Sequence, residues 1–199
     1  MEDFENNIEK IAKKMNSIEH VSKLFIPIPD GFEVVKEDLK SDNLIFVAQK
    51  DNIVEQLLTD GELEEDEKFE DRIEKIIQET ANSIKDNPLY NDERFMTYYR
   101  TYANDIIEFN IYIQDILAGT KENKILIRQL NAYFLEPMGR EVCQLSLASG
   151  PYDANNTKLI NAITNYSEDK IISNLDDLLD QILEQLVYQD RSDEVIEEE

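Results

Sequence analysis

The sequence predicts an α+β fold, in which an antiparallel sheet of five to seven strands is covered by helices on one face. Two observations carry this prediction: three consecutive strand patterns form a meander between residues 104 and 148, and a long amphipathic helix pattern lies near the C-terminus. A sheet with one apolar face needs a second layer to bury it, and helices supply that layer in α+β proteins.

The meander pattern is clearest in residues 105–116, where Phe109 and Ile111 alternate with polar side chains. Such period-two alternation is typical of a strand with one buried face. The same pattern returns in residues 124–135 and 140–148, after turns rich in Gly, Pro and Asn. We therefore expect three adjacent antiparallel strands at the centre of the fold.

A second strand region is predicted from Val21 to Gln49. Two prolines mark residues 24–28 as an edge strand or a strand end, because proline cannot donate to the ladder of a central strand. Residues 51–58 are expected to form a short helix. Residues 94–102 are rich in Thr and Tyr, which favours a strand, although a helix stays possible.

The helix patterns cover residues 2–19, 69–85, 156–166 and 169–188. The last one follows Ser167, a suitable N-cap residue. Its apolar stripe consists of Ile172, Leu175, Leu179, Ile182 and Leu186. A stripe at this spacing predicts a helix laid across a sheet. We expect it to pack on the meander residues Phe109, Ile111, Leu145 or Leu147.

These patterns divide the chain into three parts: an N-terminal amphipathic helix (residues 1–20), a single α+β domain (residues 21–188) and an acidic C-terminal tail (residues 189–199). The first helix could pack on the sheet of its own chain or on a second chain. The sequence leaves both alternatives open.

The net charge of −24, from 44 acidic and 20 basic residues, is the most unusual property of the chain. It repels nucleic-acid phosphates and anionic membranes, so we expect neither direct nucleic-acid binding nor membrane association. A single cysteine cannot form an internal disulfide, and the N-terminus lacks the apolar core of a signal peptide. Both features favour a cytoplasmic location.

The acid-rich run at residues 60–71 is expected to be a solvated loop, because it lacks the spacing of a calcium loop. Crowded carboxylates there and in the tail should have raised pKa values, because like charges disfavour ionisation. We therefore expect stability to rise as the pH falls from about 7 to about 5, and to rise with added salt.

The chemistry of the chain does not favour an enzyme. The chain has one histidine, His20, and one cysteine, Cys143, which are enough for a Cys–His pair, but Cys143 lies mid-strand, where a buried inert thiol is expected. There is no phosphate loop and no nucleophile motif. We assign no catalytic, cofactor-binding or metal-binding residue, and no cofactor. The tyrosines near 98–112 are expected to pack across strands.

The stretch Phe25-Ile-Pro-Ile-Pro-Asp-Gly-Phe32, followed by strands to Ala148 and a helix over residues 169–188, resembles the Mog1/PsbP-like proteins. The resemblance covers Val21 to Tyr188 and explains neither the first helix nor the acidic insertion. It implies an antiparallel sheet crossed by a C-terminal helix, and a non-enzymatic binding or assembly role. It assigns no functional residue.

The function that these observations favour is a non-catalytic, cytoplasmic interaction protein that binds a basic partner protein through an acidic surface. One alternative is a specialised form of it, an inhibitor that neutralises a toxin or mimics nucleic acid. The other alternative is an enzyme that uses carboxylates, tyrosines and a divalent cation.

Overall fold

The computed structural model describes residues 17–19, 24–37, 44–87, 95–120, 122–137, 140–164 and 169–188. The strands in these ranges are β1 (Ser17–Glu19), β2 (Leu24–Pro27), β3 (Glu33–Glu37), β4 (Leu44–Lys50), β5 (Ile53–Glu62), β6 (Met96–Ala103), β7 (Glu108–Gly119), β8 (Lys124–Leu135), β9 (Glu141–Asp153) and β10 (Val187–Tyr188). The helices are α1 (Phe69–Ile84), α2 (Thr157–Thr164) and α3 (Lys170–Gln185).

The strands form two antiparallel sheets, and the α+β prediction is confirmed. The larger sheet has seven strands in the order β3-β4-β5-β9-β8-β7-β6, with the predicted meander β7-β8-β9 inside it. The smaller sheet has the order β1-β2-β10. Strand β2 is therefore central rather than an edge. Its proline is tolerated because Pro27 is its last residue, so the strand-end alternative is correct.

One side of the larger sheet, which we call the apolar face, packs under α3. The stripe of α3 is buried as predicted, and Leu179 has no exposed surface. It belongs to one core cluster with the sheet residues Phe109, Ile111, Leu130, Leu145 and Leu147. Strand β2 adds Leu24 and Ile26 to this cluster. The C-terminal helix is thus a main cover of the sheet.

The opposite side of the sheet, which we call the amide face, carries the polar side chains Gln114, Gln129, Asn131, Gln144 and Ser146. Neighbouring side chains of a strand point to opposite faces, so Asn131 points away from the core residues Leu130 and Ala132. Asn131 and Ser146 nevertheless have no exposed surface. The amide face must therefore be covered as well.

Helix α1 lies on the amide face. Its own Ile73 is buried, and its carboxylates Glu74 and Glu70 lie close enough to Tyr112 to act on its phenol. Tyr112 points to the amide face, since its neighbour Ile111 is in the apolar core. The expectation of helices on one face only is therefore wrong. Buried amides on the second face require a cover of their own.

The predicted short helix at residues 51–58 is wrong, because these residues begin strand β5. Lys50 pairs directly with Ile53, so Asp51 and Asn52 make a two-residue hairpin turn. Asp51 has φ +53°, a backbone conformation that Asp tolerates better than most residues. Strand β5 then pairs with both β4 and β9, and these long-range ladders outweigh the local preference.

Two segments that the sequence predicts as helix ends are strands that pair with β2. Residues 17–19, the predicted end of the first helix, form strand β1, and residues 187–188, the predicted end of the last helix, form β10. Both strands pair with β2, whose central position needs partners on each side. The preceding residues of the first helix, and the tail at 189–199, lie outside the described residues.

Strands β6 and β9 and helix α3 also have bounds that the sequence leaves open or predicts differently. The sequence allows a strand or a helix at residues 94–102, and the structure has strand β6 there. The third meander strand continues past Ala148 to Asp153 through a cis Gly150–Pro151 peptide bond. The N-cap of α3 is Asp169, which accepts a hydrogen bond from the Ile172 amide at 3.2 Å, rather than the predicted Ser167.

Candidate functional site

An open groove of about 440 Å³ lies where the start of α1, the β6–β7 turn and the end of β8 meet. Its apolar lining comes from Phe69, Ile106, Ile107, Leu135 and Pro137. Its acidic lining comes from Glu70, Glu108 and Glu136. No lysine or arginine is among the described residues that line it. We call this cavity the Ile106 groove.

The wall that carries Ile106 is held in place by Asn104. The Asn104 side-chain oxygen accepts hydrogen bonds from the amides of Ile106 at 2.9 Å and Ile107 at 2.8 Å. Its side-chain nitrogen donates to the carbonyl of Leu183 on α3 at 2.8 Å. Ile106 is 47% exposed, which is unusual for a large apolar side chain in so ordered a turn. The turn therefore presents a fixed apolar side chain to solvent.

The connection that leads into the opposite wall, from β5 to α1, is ordered by two arginines. Arg72 donates to Glu67 Oε1 at 2.7 Å and to the carbonyls of Asp60 and Glu62 at 2.9 and 3.2 Å. Arg140 donates to the carbonyl of Leu63 at 3.0 Å. The acid-rich run is thus tied to the fold rather than being only a solvated loop.

The pKa of Glu67, in this connection, also differs from the raised value that the sequence predicts. The hydrogen bond from the Arg72 guanidinium lowers the pKa of Glu67 to about 2. A raised pKa is therefore wrong for Glu67, because the bidentate arginine outweighs the effect of desolvation, which would raise the pKa. The C-terminal tail, the other acid-rich segment of that expectation, lies outside the described residues.

All four arginines in the described part of the chain are engaged inside the fold. Arg72 and Arg140 bind the β5–α1 connection. Arg100 on β6 pairs with Asp176 at 2.7 Å and with Asp180, both on α3. Arg128 is 6% exposed and pairs with Asp115 at 3.0 Å and with Asp169, the N-cap of α3. These four arginines therefore bind other residues of the same chain.

The carboxylates, by contrast, mostly face solvent. On α1 the exposed acids are Glu70, Asp71, Glu74 and Glu79, against one exposed base, Lys75. At the end of β5 and on the connection to α1, Glu62, Glu64, Glu65 and Asp66 are exposed as well, against one exposed base, Lys68. Neither Glu70 nor Glu108 is ion-paired with any residue that the structure describes. The accessible surface around the Ile106 groove is consequently strongly acidic.

Glu55, in contrast to these exposed carboxylates, is fully buried. Glu55 lies on the apolar face, where its register neighbours are Ala48 and Leu147. Its side chain has no exposed surface, and neither oxygen has a hydrogen-bond partner among the described residues. Burial raises the pKa of Glu55 well above its usual range. A buried carboxyl group without a partner is most stable in its protonated form.

The residues with recognisable chemistry are not assembled into a catalytic arrangement. Cys143 is fully buried on β9, as expected, and burial raises the pKa of its thiol. His20 lies outside the described residues. Tyr98 packs edge-on against Tyr112 with ring centroids 5.6 Å apart, which confirms ordinary cross-strand packing. Among the described residues, no group of three or more His, Cys, Asp or Glu is placed to hold a metal ion.

A second groove of about 240 Å³ lies between the end of β2 and helix α3. It is lined by Pro27, Leu178 and Ile182 among others, and Asp30 is its one charged lining residue. The Ile106 groove is larger and combines an exposed apolar side chain with several carboxylates. It is therefore the better candidate for a binding site.

No protein-family model matches this chain, and no curated protein matches its sequence. In the part of the chain that the structure describes, no helix has both the length and the apolar composition to cross a membrane.

The sequence predicted none of the groove residues as functional. The strand pattern at residues 105–116 includes Ile106, whereas β7 begins only at Glu108. The available signal was Asn104 followed by Asp105, a pair of turn-forming residues directly before two isoleucines. A turn at that point would have left one of the isoleucines outside the sheet.

Proposed function

We propose that this chain is a non-catalytic, cytoplasmic interaction protein that binds a basic partner protein through its acidic surface. The observation that supports the proposal is the division of charge within the fold. The described arginines are bound by internal carboxylates and carbonyls, while the acids of α1 and of the β5–α1 connection remain exposed. The surface offered to a partner is therefore rich in uncompensated negative charge.

Electrostatic complementarity of this kind acts mainly on specificity and on the rate of association. A partner with a basic surface would be attracted from a distance, whereas nucleic acids and anionic membranes would be repelled. The same charge gives the protein high solubility, and solubility alone would not require any partner. The proposal therefore depends on a direct binding experiment.

The experiment is capture from a lysate of the source cells on the immobilised full chain. At low ionic strength the Debye length exceeds about 10 Å, so charge-driven partners should bind and then elute as salt is raised toward about 1 M. The control is an unrelated protein of similar net charge at the same density. Basic proteins retained by this chain and not by the control support the proposal.

Three results would count against the proposal: the captured proteins are acidic, their binding does not depend on ionic strength, or the control captures the same set. An added arm distinguishes the inhibitor alternative. If the captured proteins bind nucleic acids and added DNA or RNA displaces them, the function is nucleic-acid mimicry rather than general binding of a basic protein.

The enzyme alternative has its own measurement. Ligand binding to the native state raises the melting temperature, so the full chain can be screened against divalent cations and nucleotides by thermal shift. A cation that raises the melting temperature at micromolar concentration would replace the binding proposal with the enzyme. The resemblance to the Mog1/PsbP-like proteins, which also implies a non-enzymatic binding role, stays a prediction.

A further inference from the structure

The Ile106 groove differs from the rest of the acidic surface because it has shape and apolar lining as well as charge. Its volume of about 440 Å³ lies within the range of cavities that bind ligands. Phe69, Leu135 and Pro137 give it apolar walls, and Ile106 projects from its rim. Such a groove can bury an apolar side chain of a partner, which a flat acidic surface cannot.

The groove is also organised before any partner binds. Asn104 fixes the turn that carries Ile106, and its bond to Leu183 ties that turn to α3. Arg72 fixes the start of α1, which carries Phe69 and Glu70. A site that is already ordered loses little conformational entropy on binding, so its contacts contribute more fully to affinity.

The charge of the groove decides what kind of occupant fits. Glu70 and Glu108 are exposed and unpaired with any described residue, and Glu136 adds a buried third carboxylate. Since no described residue that lines the groove is basic, a ligand that is only apolar would leave Glu70 and Glu108 without a cation. A ligand that is only charged would leave Ile106 in water.

We infer that the Ile106 groove binds an extended segment of a basic protein, in which a lysine or arginine is adjacent to an apolar side chain. The apolar side chain would pack against Ile106 and Phe69, and the cation would meet Glu70 and Glu108. This inference rests on the proposed function, and it assigns the partner to one site of the acidic surface.

The test uses the full chain and two labelled peptides of about twelve residues, long enough at roughly 3.3 Å per residue to cross the groove. One peptide alternates lysine with leucine, and the other alternates lysine with serine. The groove variants are Glu70→Gln/Glu108→Gln and Ile106→Ser. The matched control is Glu64→Gln/Glu65→Gln, which removes the same charge from the nearby β5–α1 connection. Circular dichroism and melting temperature check that each variant is folded.

The expected affinity changes separate charge from shape. At low salt, Glu70→Gln/Glu108→Gln should weaken binding of the lysine–leucine peptide about five- to tenfold, because two exposed charge pairs are lost. Ile106→Ser should weaken it about tenfold while leaving the lysine–serine peptide nearly unaffected, because it removes apolar burial alone. The Glu64/Glu65 control should change neither peptide by more than about twofold.

The other outcomes overturn the inference in distinguishable ways. If groove and control variants weaken binding equally, or if both peptides bind alike, the acidic surface binds without the groove, and the proposed function stands. If the peptides do not bind although basic proteins are specifically captured from lysate, the groove is again excluded as the site. If neither experiment shows binding, the proposed function itself fails.

Discussion

On the apolar face of the seven-stranded sheet, Leu145 and Leu147 pack under the stripe of α3, whereas on the amide face the Ser146 hydroxyl donates a hydrogen bond to Asn131. Leu145, Leu147, Asn131 and Ser146 all have no exposed surface. Apolar burial is non-directional and depends on volume and area. A buried amide network is directional, because each donor needs an acceptor at hydrogen-bond distance and angle.

The amide network shows this dependence at Asn131. Its side-chain oxygen accepts hydrogen bonds from Gln129 at 3.1 Å, Gln144 at 2.9 Å and Ser146 at 2.6 Å. Its side-chain nitrogen donates to Gln114 at 3.0 Å. One residue therefore joins β7, β8 and β9 on this face. Alternating polar residues do not have to mark a solvent-exposed face, provided that they satisfy one another.

The largest expected effect is on the apolar face. Leu179→Ala removes a fully buried side chain from the middle of the α3 stripe and should lower the free energy of unfolding by about 2–5 kcal/mol. Urea denaturation monitored by circular dichroism measures the change. The control Gln181→Ala, at an exposed position of the same helix, should change it by less than about 0.5 kcal/mol. A loss below about 1 kcal/mol for Leu179→Ala would mean that α3 is not a main cover.

The second largest loss of stability is expected for a substitution on the amide face. Asn131→Ala removes the acceptor shared by Gln129, Gln144 and Ser146 and should lower the free energy of unfolding by about 1–3 kcal/mol. Urea denaturation again measures it, with exposed Gln78→Ala on α1 as the control. A wild-type stability in Asn131→Ala would show that water or a rearranged network replaces the lost bonds.

The third prediction concerns Glu55, the carboxyl group buried among apolar side chains, and the pH dependence of stability that it causes. The folded pKa of Glu55 is raised, so the native state binds more protons than the unfolded state between the unfolded pKa of about 4.3 and the folded value. Stability should therefore rise as the pH falls from 7 toward 5. Melting temperatures of wild type and Glu55→Gln should show this slope reduced in the variant.

Glu67 should change stability with pH in the direction opposite to Glu55, and in a more acidic pH range. Its folded pKa of about 2 is depressed, so its contribution is present above the unfolded pKa and is lost as the pH falls from about 4 to about 2. Glu67→Gln should flatten only that acidic limb. A melting temperature that falls steadily from pH 7 to pH 5 would show that paired carboxylates, rather than Glu55, dominate near neutrality.

The smallest effect is expected for the ion pairs that join α3 to the edge strand β6. Arg100 bonds Asp176 and Asp180, but its side chain is 25% exposed, so Arg100→Ala should cost only about 1 kcal/mol or less. Exposed Lys85→Ala is the control for losing one positive charge. If Arg100→Ala costs as much as Leu179→Ala, then charge rather than apolar burial holds α3 on the sheet.

The Ile106 groove could not be predicted from the sequence, although the elements around it could. The patterns at residues 69–85 and 124–135 predict α1 and β8 almost to the residue. They do not reveal that the start of one lies beside the end of the other. Asn104 also depends on the tertiary structure, because its bond to Leu183 joins residues 79 positions apart.

The sequence by itself determined the periodic elements: the alternation of the meander strands, the stripe of α3 and the excess of acid over base. Local spacing is enough for these, because a strand or a helix repeats along its own chain. Only the tertiary structure decided that residues 53–62 form a strand, that β2 lies between two partners and that the amide face is buried. Each of these depends on ladders or cover from distant residues, whose contacts outweigh local preference.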